Sequence, residues 1–130
     1  MLADRLGHRF GRVITRANLA HIRLQQGQLA AAQVWAEEAM GLAAEAGLEG
    51  PYAIARATLA DALRRQGHPA QAAEHALAAA KALTALGMPR EAAETWEVVA
   101  ACAEELGDRE LSDAVLDATR PRLPEGTGAA

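Results

Sequence analysis

A chain of 130 residues has room for one domain built on a single core, with no length left for a second. Apolar residues make up 51% of it, charged residues 23% and aromatics only 3%, an alanine-rich balance that suits close-packed helices and leaves sheet formers scarce. A net charge of −4 lacks the basic footprint of a nucleic-acid binder, and no apolar run approaches the length of a membrane span, so neither a nucleic-acid nor a membrane partner is expected for this segment.

At the start of the chain, Leu2 to Leu6 precede Gly7 as Ala43 to Ala46 precede Gly47. They read as the last turn of a helix whose upstream part is missing. The array is then expected to begin partway through a unit, as a fragment of a longer protein or as an open end that needs covering. Met1 to Phe10 carries charges where a signal peptide needs its apolar region, so export is not expected.

Glycines punctuate the rest of the chain. Gly27, Gly67 and Gly107 are spaced by 40 residues, and so are Gly7, Gly47 and Gly87, as a repeating pair of helices joined by short turns requires. Between them apolar residues recur at helical spacing, Leu19, Ile22 and Leu29 first, then Leu59, Leu63 and Leu77. Pro51, Pro69 and Pro89 stand where helices should begin, positions at which a missing N–H costs nothing. The predicted helices are 9–26, 29–46, 51–66, 69–86, 89–106 and 109–120, grouped into units of about 8–47, 48–87 and 88–120. The last helix is the shortest and most polar. The tail, 121–130, is rich in proline, glycine and alanine and is expected to be disordered.

Small residues hold fixed places around the inter-helix glycine. Ala20, Ala60 and Ala100 lie seven residues before it, Ala32, Ala72 and Ser112 five after it, and Ala39, Ala79 and Thr119 twelve after it, with Leu19, Leu59 and Val99 one residue ahead of the first set. Two helices packed at short axial distance leave room only for small side chains where they touch. In this pattern the sequence resembles the tetratricopeptide repeat family. Trp96 stands at that family's aromatic position, where the other two units have Arg16 and Arg56. The unit exceeds the family's usual 34 residues by six, adding about 9 Å of helix at about 1.5 Å per residue. Such long units are similar to those of bacterial signal-responsive transcription regulators and of kinesin light chains. The resemblance covers about residues 2–120 and implies an all-α fold, a right-handed α-α superhelix of about three TPR-like helical hairpins.

Residues equipped for chemistry are few. Ser112, the lone serine, sits at a helix-contact position, and Cys102 lies in an apolar helical stretch, where a small buried hydrophobe in a reducing, cytoplasmic compartment is expected. His8, His21, His68 and His75 show no metal-ligand spacing, with each other or with Cys102. Gly47-Leu48-Glu49-Gly50 lacks the lysine and hydroxyl of a phosphate loop and reads as a turn. The helix after Gly27 carries Glu37 and Glu38 and, from Leu29 to Met40, no lysine or arginine, a poor recognition helix for DNA. The neighbours Glu104 and Glu105 diverge by about 100° around a helix and read as solvated. No catalytic residue, metal site or cofactor is therefore expected, and the chain reads as a non-enzyme.

Charge is uneven along the chain: residues 1–36 hold five arginines against Asp4, and residues 91–117 hold nine carboxylates against Arg109. The resemblance implies that the first helix of each unit lines a concave groove. By that register Ile14, Ala17, His21 and Leu24 face it from the first unit, Ile54, Ala57, Asp61 and Arg64 from the second, and Glu94, Glu97, Ala101 and Glu104 from the third, with Arg65 at the rim. Such a groove runs from apolar through mixed to acidic and suits a peptide or helix with an apolar end and a basic end. The lysine, asparagine and arginine of the family's carboxylate clamp for chaperone tails are not supplied. The expected function is a protein- or peptide-binding module, the C-terminal sensing or interaction region of a larger bacterial cytoplasmic regulator. The alternative is a structural scaffold in which the repeats assemble homo-oligomers.

Overall fold

The computed structural model describes residues 2–121, with side chains from Gly7 onward. It is all-helical: α1 (Leu2–Gln25), α2 (Leu29–Ala46), α3 (Glu49–Arg65), α4 (Pro69–Ala85), α5 (Pro89–Leu106) and α6 (Arg109–Thr119), with no strand among the described residues. The expected tail falls almost wholly on 122–130, outside the described residues.

One device, repeated every 20 residues, makes all five turns. Gly27, Gly47, Gly67, Gly87 and Gly107 take φ between +65° and +89°, the left-handed region that a side chain would strain. At each, the amide of the residue after the glycine reaches back along the helix, as Leu48 N does to Ala43 O at 2.9 Å and His68 N to Leu63 O at 3.0 Å. The glycine amide closes the inner bond, Gly67 N to Arg64 O at 3.0 Å, which completes a Schellman ending. The same linker residue then opens the next helix through its carbonyl, as Leu48 O accepts from Tyr52 N and His68 O from Ala72 N, both at 3.0 Å. Only Asp108 among these linkers caps with its side chain, accepting from Leu111 N at 3.0 Å. Pro69 and Pro89 open their helices, whereas α3 starts two residues ahead of Pro51. Its first-turn amides have no intrahelical acceptor, so a proline third in line removes no bond.

At Gly7 the expectation fails. α1 runs unbroken from Leu2, and Gly7 has no positive φ, so Leu2–Leu6 belong to the first helix rather than to the end of an earlier one. A glycine within a helix costs about 1 kcal/mol against alanine. Abandoning the ladder there would cost more, because a break gives up backbone hydrogen bonds on both sides of it and must nucleate a helix anew.

Each helix packs on the next. Beyond these neighbours α1 approaches α3 and α3 approaches α5, while the backbones of α2 and α4 do not come close. The odd-numbered helices thus form one continuous layer, and the even-numbered ones stand apart. The core between the layers is mostly alanine: Ala20, Ala32, Ala36, Ala60, Ala72 and Ala76 are fully buried, joined by Leu59, Leu63, Leu83, Val99 and Trp96. Trp96 Nε1 donates to Thr84 Oγ1 at 3.2 Å, which gives its polar edge a partner inside an apolar cluster. Burial recurs at the 40-residue interval at some positions, as in Ala20 and Ala60, and not at others, since Ala100 is only half-buried and Ile22 is 44% exposed where Ala62 is covered. Ala36 and Ala76 are 0% exposed, yet Leu116, next in the series, is 62% exposed and α6 buries no residue.

Candidate functional site

The odd-numbered layer builds the candidate site. α1, α3 and α5 enclose a groove of about 340 Å³, with His21 and Leu24 on one wall, Ala57, Asp61, Arg64 and Arg65 in the middle, and Glu94, Glu97 and Ala101 on the other wall. These nine were expected from the sequence. Of the remaining four, Ile14 and Ala17 lie half-buried on α1 outside the groove, Ile54 packs against the core cluster around Trp96, and Glu104 is exposed on α5 beyond the lining. Thr58, Thr95 and Val98 line the groove without having been anticipated. A register of single positions skips their neighbours, although a helix seen obliquely from a groove shows two flanking columns of residues. Both threonines are buried and turn their hydroxyls back onto the helix, Thr58 to Ile54 O at 3.3 Å and Thr95 to Glu91 O at 2.7 Å.

The groove's arginines are engaged within the chain. Asp61, on α3, holds both neighbours that come one turn later: Arg64 Nη2 at 3.1 Å, and Arg65 Nη2 at 3.0 Å. Arg64 also reaches across to α5, where Nη1 donates to Glu105 Oε1 at 2.9 Å. Its Nε is buried without an acceptor, so the side chain is held by its fork alone. Burial pushes the Arg64 guanidinium down, but Glu105 and Asp61 more than offset it, so its pKa stands above the usual value. The Cys102 thiol, fully buried behind this cluster, is pushed up by the same desolvation and stays protonated.

Two arginines against Asp61 and Glu105 sum to no net charge, whereas Glu94 and Glu97 pair with no cation among the described residues. The middle of the groove is therefore mixed in sign but without net charge, and its free charge is acidic and confined to the α5 wall. Elsewhere, Arg16 Nε meets Glu38 Oε1 at 2.6 Å, so the basic head is partly spent in joining α1 to α2.

Among the described residues no three of His, Cys, Asp and Glu gather into a metal-holding group, and no helix is long and apolar enough to cross a membrane. Compared with protein families, with curated proteins and with solved structures, the chain matches none.

Proposed function

We propose that this chain is a binding module of tetratricopeptide-like hairpins, wound as a right-handed superhelix, that holds a basic peptide or helix of a partner protein in the α1–α3–α5 groove. The observation carrying this reading is the uncompensated pair Glu94 and Glu97 opposite the apolar wall at Leu24, in a groove whose own arginines are already neutralised. Exposed carboxylates on one wall favour cationic side chains and fix the direction of a bound segment. In this reading the module is the interaction arm of a larger bacterial cytoplasmic regulator, as the long repeat unit suggests.

Fluorescence anisotropy with a lysine-rich amphipathic peptide tests it, against the same peptide with glutamates in place of the lysines. The lysine peptide alone is expected to bind, more weakly as salt rises. Glu94→Lys with Glu97→Lys is expected to lower its affinity about tenfold or more and leave helical circular dichroism intact. Equal binding of both peptides, or indifference to the double variant, would rule the reading out.

A second reading has its own support. Leu116 is exposed at the place in the repeat where Ala36 and Ala76 are covered, and it lies on an acidic helix while α1 is basic. Copies joined end to end would cover it. Light scattering over a range of concentrations decides: a monomer throughout removes self-assembly, and a salt-sensitive oligomer that Leu116→Glu dissolves supports it.

A further inference from the structure

A second depression lies on another face of α3. Because the backbones of α2 and α4 do not come close, α3 is left as the floor of a trough of about 650 Å³ between them. Its walls are mostly alanine, Ala43 and Ala44 from α2, Ala78 and Ala82 from α4, with Ala53 below and Leu48 and Leu86 beside them. Side chains this short cannot bridge the gap, so the space stays open.

The trough also holds a cation that forms no ion pair among the described residues. Arg56, half-buried on α3, donates from Nε to His75 Nδ1 at 3.0 Å, across to α4. That bond fixes the plane of the guanidinium and leaves both terminal nitrogens unused, and no carboxylate pairs with Arg56 among the described residues. Tyr52, one turn earlier on the same face of α3, brings a hydroxyl that makes no hydrogen bond to any described residue. Glu49 stands a further turn away, exposed at the trough's end. A guanidinium and a hydroxyl one turn apart therefore line the same largely apolar channel. A partly desolvated guanidinium gains most from an anion that accepts two of its N–H groups at once, and apolar walls favour an apolar body attached to that anion.

We propose that the trough binds a small organic anion, a carboxylate carrying an apolar body, with the carboxylate on Arg56 and Tyr52 and the body along the alanine walls between α2 and α4. The site is independent of the α1–α3–α5 groove, since Ala57, Asp61 and Arg64 line that groove from a different face of α3.

The test compares 4-phenylbutyrate with its neutral counterpart 4-phenylbutanol on the whole chain, by calorimetry and by the NMR signals of the single tyrosine, Tyr52. The acid is expected to bind about tenfold tighter than the alcohol and to shift the Tyr52 ring signals saturably. Arg56→Gln is expected to erase the difference between acid and alcohol. Ala44→Trp with Ala85→Trp, both at exposed positions lining the trough, is expected to weaken both ligands about tenfold with helical circular dichroism unchanged. The Glu94→Lys, Glu97→Lys variant should bind the acid as the wild type does, so failure of either site is told apart from failure of the other. The proposal falls if acid and alcohol bind alike, if Tyr52 does not respond, or if the tryptophans leave binding unchanged. Should Arg56→Gln lose helicity, the tryptophan pair and the acid-to-alcohol ratio of the wild type still decide it.

Discussion

Ala60 is fully buried where α3 meets its neighbours, and its smallness is a packing requirement. Ala60→Leu is expected to cost about 1–3 kcal/mol, read as a lower urea midpoint with an unchanged slope. That demand was legible in the sequence for the first two units, where Ala20 and Ala60 hold the same place and are both 0% exposed, whereas Ala100, third in the set, is only half-buried. His75 was not legible as anything beyond a histidine without metal-ligand neighbours. Burial on α4 and the charge of Arg56 lower its pKa below the ordinary 6.5, outweighing Glu74 on its own helix and Glu37 on α2. Linkage sets the sign of the effect on stability. A folded pKa below the unfolded one gives a stabilisation present above about pH 6.5 and lost as pH falls toward the folded value. The melting temperature is therefore expected to drop between pH 7 and pH 5, and to drop less in His75→Gln, whose amide oxygen can still accept from Arg56. An equal drop in both would assign the acid sensitivity to other groups.

At the scale of the helices, five glycines end helices and Gly7 does not, although all six fall on one spacing in the sequence. A glycine signals that the chain can turn left-handed, and whether it does depends on a helix on each side to pack. The two cases separate by substitution. Gly67→Ala places a side chain at φ +89° and is expected to destabilise by about 1 kcal/mol or more, whereas Gly7→Ala, with nothing within 4 Å of the added carbon, is expected to stabilise by up to about 1 kcal/mol. A loss of stability in Gly7→Ala would show that the break in α1 exists in solution. Helix boundaries elsewhere matched the sequence to within a residue or two, since turn glycines and prolines act locally.

The described residues form a row of helices in which each packs on the next, so stability follows how much each helix buries against its neighbours. Native-state hydrogen exchange is expected to be fastest in α6, which buries no residue, and slowest in α3, which packs on both sides and buries Leu59, Ala60 and Leu63. Uniform protection across α3 and α6 would mean that the array unfolds only as one unit. The candidate groove also belongs to this scale. Nine of its lining residues stand at positions that the resemblance to tetratricopeptide repeats implies. Their charge could not be placed from the sequence. Arg64 reads as a free cation until Glu105, far along the chain on α5, is seen 2.9 Å from it.

What the sequence determined by itself, then, is the run of helices, their turns and the small residues at their crossings, because capping, left-handed glycines and helical periodicity act over a few neighbouring residues. Only the tertiary structure decided that α2 and α4 stand apart over Arg56, that the groove's middle carries no net charge, and that α1 continues through Gly7. Each depends on which distant side chains meet, or on whether a neighbouring helix is there to be packed against.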